Sequence, residues 1–196
     1  MQGVTEIREQ ISKVVLRYLD TDTLLSWAPE RNIHDPTEVE GGEKLESLRD
    51  LQIRTAQPII AFLVNHVWPG VEIKPTLEEE SIIPVPQPQE TKDVIRGWIA
   101  GLGPYDLAGL ERGVLASKSL LVAVRLVVEW SEHFRHLQPQ GGFRGFGIEK
   151  AAEASSLEVT WQTGRWGEVE DTHDVEKEDL RRQLGSVILL VSGETR

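Results

Sequence analysis

Residues 118–147 read KSLLVAVRLVVEWSEHFRHLQPQGGFRGFG, and the fold turns on how this stretch is built. Leu120, Val122, Val124, Leu126, Val128 and Trp130 recur at every second position, with Arg125, Glu129 and Ser131 between them. That is the period of a strand with one face buried, and the density of β-branched residues favours the same answer. The rival reading continues the preceding helix through Leu120–Trp130 as a rod to about Leu137. The alternation predicts a strand over 118–131. It empties into His133-Phe134-Arg135-His136 and a glycine-rich loop, 138–147, carrying Phe143, Arg144 and Phe146. Aromatic area and charge on a loop held by a rigid element make a contact device for another molecule.

Upstream, the pattern is helical. Val4, Ile7, Ile11, Val14, Val15 and Tyr18 share one face of an amphipathic helix over 4–19. Pro29, Pro36 and Gly41-Gly42 break the chain between Trp27 and Gly42 into a loop. A second helix is predicted over 43–67, kinked or restarted at Pro58 and stopped by Trp68-Pro69-Gly70. Val71–Thr76 reads as a short strand. Glu78-Glu79-Glu80 and Pro84-Val85-Pro86-Gln87-Pro88 then form an extended bridge, because alternate prolines cannot feed a central sheet.

Downstream of the bridge, Val94, Ile95, Trp98, Ile99 and Leu102 make a further helical stripe, and Asp106 is placed to cap a helix carrying Leu107, Leu110, Val114 and Leu115. Leu157, Val159 and Trp161 alternate with polar residues, and Thr163-Gly164 can turn the chain into a second ribbon with Trp166 and Val169. A short helix ends near Leu184-Gly185. The run Val187-Ile188-Leu189-Leu190-Val191 reads as a strand covered on both faces. The expectation is an α+β protein: N-terminal amphipathic helices (1–76), a Glu/Pro-rich bridge (77–91), then a mostly antiparallel sheet of about four strands with flanking helices (92–196), all in one compact domain.

Composition narrows the function. The chain has 196 residues and no cysteine, which excludes disulfides, thiolate metal sites and cysteine nucleophiles. Its net charge of −11 is spread so that only residues 101–150 are not acidic, so the clustered cations needed to displace counterions from nucleic acid are missing. No apolar run reaches the roughly 20 residues that span a bilayer, and Glu6, Glu9 and Asp20 interrupt any signal-peptide core. A non-secreted protein is expected, cytoplasmic or part of a particle assembled in the cytoplasm.

No motif for a nucleophilic hydrolase, zinc protease, calcium loop or dinucleotide fold occurs, and the glycine loop lacks the Lys-Ser/Thr of a nucleotide cradle. No catalytic residue and no cofactor is expected. One cluster could hold a metal or move a proton: Glu129, His133 and His136 would share a face if this stretch were helical, whereas a strand scatters them. His66 reads as a partly buried core histidine, and His173 as part of an acidic turn. Interface candidates are Phe134, Arg135, Phe143, Arg144 and Phe146 of the loop, the proline-flanked Trp27 and Trp68, and Val187, Ile188 and Leu189 of the terminal strand. These features point to a non-enzymatic assembly subunit that docks to its own copies or to other protein subunits, in the style of phage tail and neck components. The alternatives are a small enzyme built on Glu129/His133/His136 and an adaptor that binds a peptide at its sheet edge.

Overall fold

The computed structural model describes residues 2–29, 46–76, 84–138, 145–166 and 172–193. Every regular element among them is helical: α1 (Gln2–Arg17), α2 (Leu48–Phe62), α3 (Gln89–Ala100), α4 (Pro104–Ser117), α5 (Leu120–Trp130), α6 (Ile148–Trp166) and α7 (Thr172–Val191). Short 3-10 turns follow α1 (Tyr18–Thr21) and α5 (Glu132–Leu137), and a π-turn (Leu63–Val67) ends α2. The expected α+β sheet is therefore corrected to an all-helical fold among the described residues.

The decisive stretch is the central helix. From Leu120 to Glu129 every residue of α5 is buried, with α2, α4, α6 and α7 packed around it. A helix covered on all sides needs no polar face, so its sequence loses the 3.6-residue contrast that marks surface helices. The alternation over 118–131 misled because Leu121, Ala123 and Val127 fill the intervening positions with more apolar side chains, where a half-buried strand would carry polar ones. Ser119 caps the helix, its hydroxyl accepting from Val122 N at 3.0 Å. Lys118, at φ 57°, supplies the left-handed residue between α4 and α5.

The other expected strands fall the same way. Leu157, Val159 and Trp161 lie in α6, whose buried residues Ala151, Ala152 and Ala154 precede them in a strongly helix-forming segment. The ribbon expected at Trp166 and Val169 has no strand partner: Trp166 ends α6, and Val169 lies outside the described residues. Val187–Val191 is the last turn of α7: Leu184, Val187 and Val191 face the core while Leu189 is 77% exposed, which is helical spacing. Residues 71–76 form no strand; Lys74 N donates to Gln87 Oε1 (3.0 Å) and Lys74 O accepts from Gln87 Nε2 (2.7 Å), so one glutamine side chain serves both backbone groups of Lys74.

The first helix forms as expected, but its apolar face is covered only from Ile11 onward, Val4 and Ile7 being exposed. Its C-terminal half packs Val15 into the core, and Arg8 Nη2 donates to Leu102 O (2.7 Å) and Ala100 O (3.2 Å), capping the C-terminal end of α3. α2 contains Pro58 as expected, and the π-turn that follows it is capped at Trp68. Helix α4 begins one turn before the expected cap, with Gly103 as N-cap and Pro104 in the first helical position, which leaves Asp106 inside the first turn. Its two glycines let α7 and α5 come close to its backbone. A Cβ on Gly109 would collide with Val191 Cγ1, and one on Gly113 would sit 3.0 Å from Ala123 Cβ.

Candidate functional site

A cleft of about 400 Å³ opens between α2, α5 and α6. Pro58, Ile59 and Phe62 of α2 form one wall, Phe146, Lys150 and Glu153 the other, and Arg54 and Thr55 close one end. Arg125 of the central helix lies at its floor. Pro58 has no N–H for the Arg54 carbonyl four residues back, so that acceptor is released from the helix beside the cleft.

Arg125 and Glu129 are the two charges in an otherwise apolar helix, one turn apart. Arg125 Nη1 donates to Glu129 Oε2 at 2.6 Å, with Glu129 fully buried and Arg125 only 8% exposed. Glu129 Oε1 also accepts the backbone N–H of Phe146 at 3.2 Å, and Trp130 Nε1 donates to Phe146 O at 2.9 Å, so α5 pins the residue at the entrance to α6. The guanidinium carbon stands 3.7 Å from the centroid of the Phe62 ring and 5.0 Å from that of Phe146. Burial pushes the Arg125 guanidinium below its ordinary value and the Glu129 carboxylate pushes it back, so the group stays charged in a low-dielectric place. Two wider grooves, about 490 Å³ between α1, α3 and α4 and about 540 Å³ between α4, α6 and α7, are bordered by surface charges. The α2–α5–α6 cleft has a buried charge beneath it.

Two further buried acids hold the frame. Asp22 accepts from Leu24 N (3.0 Å) and from Leu121 N (3.1 Å) at the start of α5, and burial pushes its carboxyl up to about 6 against those hydrogen bonds and one to Ser119. Asp106 is raised by burial, opposed by a hydrogen bond with the Ser131 side chain and by nearby His133. Neither faces the cleft's lining.

The structure disperses the Glu129/His133/His136 cluster. Glu129 turns inward to Arg125, while His133 and His136 lie exposed on the following 3-10 turn around the Phe134 ring, at 4.9 and 6.5 Å between centroids. Among the described residues no group of three His, Asp or Glu is arranged to hold a metal. Of the interface candidates, Phe146 is buried in the cleft wall; Phe134, Trp68 and Val187 are core residues, with Trp98 stacked on Phe134 and perpendicular to Trp68. Trp27 and Ile188 are half-buried, Arg135 and Leu189 exposed, and Phe143 and Arg144 lie outside the described residues. His66 is exposed rather than partly buried, its ring 5.0 Å from Phe62. Pattern reading passed over Phe62 and the role of Arg125. The available signal was an opposite-charge pair at i, i+4 inside an apolar run, a helical spacing.

No family model matches the chain. It is 33% identical over 186 residues, 94% of its own length, to the mitochondrial protein atp12 of Schizosaccharomyces pombe, and 34% identical over 181 residues, 89% of its length, to mitochondrial ATP12 of Saccharomyces cerevisiae. The chain spans about half the length of these curated relatives, 54% and 51%. The crystal structure of Atp12 from Paracoccus denitrificans superposes with a TM-score of 0.66 at 18% identity, covering 94% of this chain and 65% of that one. Atu1473 of Agrobacterium tumefaciens, for which a chaperone role has been suggested, gives 0.65 at 19% identity over 97% of this chain and 58% of its own. These relatives overturn the phage tail or neck reading, and with it the placement in a virion; both fungal proteins are mitochondrial. A non-enzymatic chain is consistent with them. The chain thus resembles the fungal Atp12 proteins over nearly all of its own length and has the fold of the bacterial one.

Proposed function

We propose that this chain acts as an Atp12-type assembly chaperone in the mitochondrion and holds a subunit of the ATP synthase, the F1 α subunit, before it is built into the enzyme. The observation that carries the reading is the 33% identity to atp12 of Schizosaccharomyces pombe across 94% of the chain. A protein that binds another polypeptide is also the sense of the adaptor alternative, without its sheet edge. A holding protein needs no reacting groups. It needs clefts with apolar walls and a few oriented polar groups, as between α2 and α6.

The partner in this proposal is a different protein; association with further copies of the chain is no part of it. Phe146 in the cleft wall, the exposed Arg135 and Leu189 and the half-buried Trp27 and Ile188 are the contact candidates in this reading. The test is refolding of denatured F1 α subunit by dilution, followed by light scattering. The chain at equimolar amount is expected to suppress aggregation of the α subunit and to leave an unrelated aggregating protein unaffected. Equal suppression of both, or of neither, contradicts the proposal.

A further inference from the structure

We infer that the α2–α5–α6 cleft is a docking site for an acidic side chain of the bound polypeptide, with Arg125 as its anchor; the inference rests on the chaperone reading above. A guanidinium presents five N–H donors in a planar fork. Glu129 Oε2 takes one of them, and no other acceptor among the described residues bonds to Arg125. Yet the residue is 8% exposed and faces the cleft it helps to line. Its remaining donors thus reach the cleft, the one place where they meet a partner other than Glu129. A carboxylate entering the cleft can replace water on that edge with a charge-assisted, bidentate pair.

The surroundings select the ligand. The Phe62 ring lies against one face of the guanidinium at 3.7 Å, which fixes the fork and leaves its edge for in-plane hydrogen bonds. Glu129 is already committed to Arg125 and to Phe146 N, and so does not satisfy the rest of the fork. Lys150 and Arg54 border the opening, with Glu153 the acid among the lining residues; Arg54 is held by Glu46 at 2.8 Å and Glu129 balances the charge of Arg125, so Arg125 supplies directed donors and Lys150, bonded to the neutral Gly145 carbonyl at 2.6 Å, the cation without a carboxylate partner among the described residues. Pro58, Ile59 and Phe146 add apolar wall. That wall suits the stem of an aspartate or glutamate and an apolar neighbour in the same peptide, and gives a free inorganic anion nothing to bury. The chain as a whole carries −11, which repels acidic segments from most of its surface and makes this cleft selective for one.

The experiment compares wild type with Arg125→Met/Glu129→Gln and with Lys150→Gln. The double substitution removes both buried charges together, and the glutamine oxygen can still accept the Phe146 N–H, so the fold is retained; equal melting temperatures verify this. Binding of unassembled F1 α subunit is measured by titration calorimetry. In parallel, amide shifts of Phe146 and Lys150 are followed by NMR with the capped peptides acetyl-Leu-Glu-Phe-amide and acetyl-Leu-Gln-Phe-amide, and with inorganic phosphate. The expected result is a loss of about thirtyfold or more in affinity for the α subunit in the double variant and a loss of a few fold in Lys150→Gln. Shifts in wild type are expected with the glutamate peptide alone. Unchanged affinity of the double variant for the α subunit overturns the docking inference while leaving the chaperone reading standing. Wild type that binds no α subunit sinks the chaperone reading, and the peptide arm then decides: glutamate-selective shifts lost in the double variant support the cleft's chemistry, and equal response to the two peptides, or to phosphate, overturns it.

Discussion

Exchanging Gly113 and Ala123 tests the packing on which the all-helical fold depends. A methyl placed on Gly113 would lie 3.0 Å from Ala123 Cβ, 3.5 Å from Ala123 Cα and 3.6 Å from Val187 Cγ2. Carbon atoms settle at about 3.5–4.0 Å, so α4 and α5 must part by roughly half an ångström, and the blocking atom is a rigid Cβ with backbone behind it. Such overpacking costs about 1–3 kcal/mol, against about 1 kcal/mol gained from replacing glycine by alanine inside a helix. Gly113→Ala should therefore lower stability by about 1 kcal/mol. Ala123→Gly loses about 1 kcal/mol of helix propensity and about 0.8 kcal/mol for the buried methyl, close to 2 kcal/mol together. Independent sites would make the double variant about 3 kcal/mol worse than wild type. The structure instead returns a methyl to the same interface from the other side, with propensities cancelled, so the double variant should lie within about 1 kcal/mol of wild type and the coupling should be near 2 kcal/mol. Urea unfolding of the four proteins in a double-mutant cycle measures it. Additive effects would refute the reasoning, because residues that do not meet cannot compensate.

Asp22 predicts an unusual pH dependence. Its folded-state value of about 6 lies above the ordinary 3.8, so the fold favours the protonated form; its contribution is complete below pH 3.8 and is lost as pH rises through about 6. Two units correspond to roughly 3 kcal/mol, so the stability of wild type relative to Asp22→Asn should fall by about that amount from pH 4 to pH 7 in denaturant titrations, and a flat difference would count against it. Glu129→Gln leaves the Arg125 charge buried without its partner and should cost about 3–5 kcal/mol, whereas Arg125→Met/Glu129→Gln should recover most of that loss; thermal melts of the two variants check the order. Ser119→Ala removes the cap of α5 and should cost about 1 kcal/mol, while Lys118→Gly, at a left-handed position, should be neutral or gain up to about 1 kcal/mol, both read by urea unfolding.

The legible parts of the fold were those with a solvent-facing side. Helix α1 alternates Val15 and Ile11 with Glu9, Lys13 and Arg17 at a 3.6-residue period because one face meets water, and Pro58 and Trp68-Pro69-Gly70 punctuate α2 as backbone sterics require. Helix α5 was opaque because four neighbouring helices cover it, and burial on every side erases the period. β-branched side chains then tilt local propensity toward a strand, and tertiary packing overrides it. What survived as signal was Ser119 at the cap and the Arg125–Glu129 spacing, both helical. In α7, Val187 and Val191 are buried and Leu189 exposed, a difference invisible in an unbroken apolar run. Phe146 could be noticed from its loop, but the cleft could not, since Phe62 and Arg125 come from separate helices that only the packed fold brings to 3.7 Å.

The most direct measurement of the account is size-exclusion chromatography with multi-angle light scattering of the chain mixed with unassembled F1 α subunit, and separately with assembled F1. A chaperone that holds a subunit before assembly should co-elute with the free α subunit as a complex and leave assembled F1 unbound. The absence of a complex with the free α subunit, or equal binding to the assembled enzyme, would contradict it.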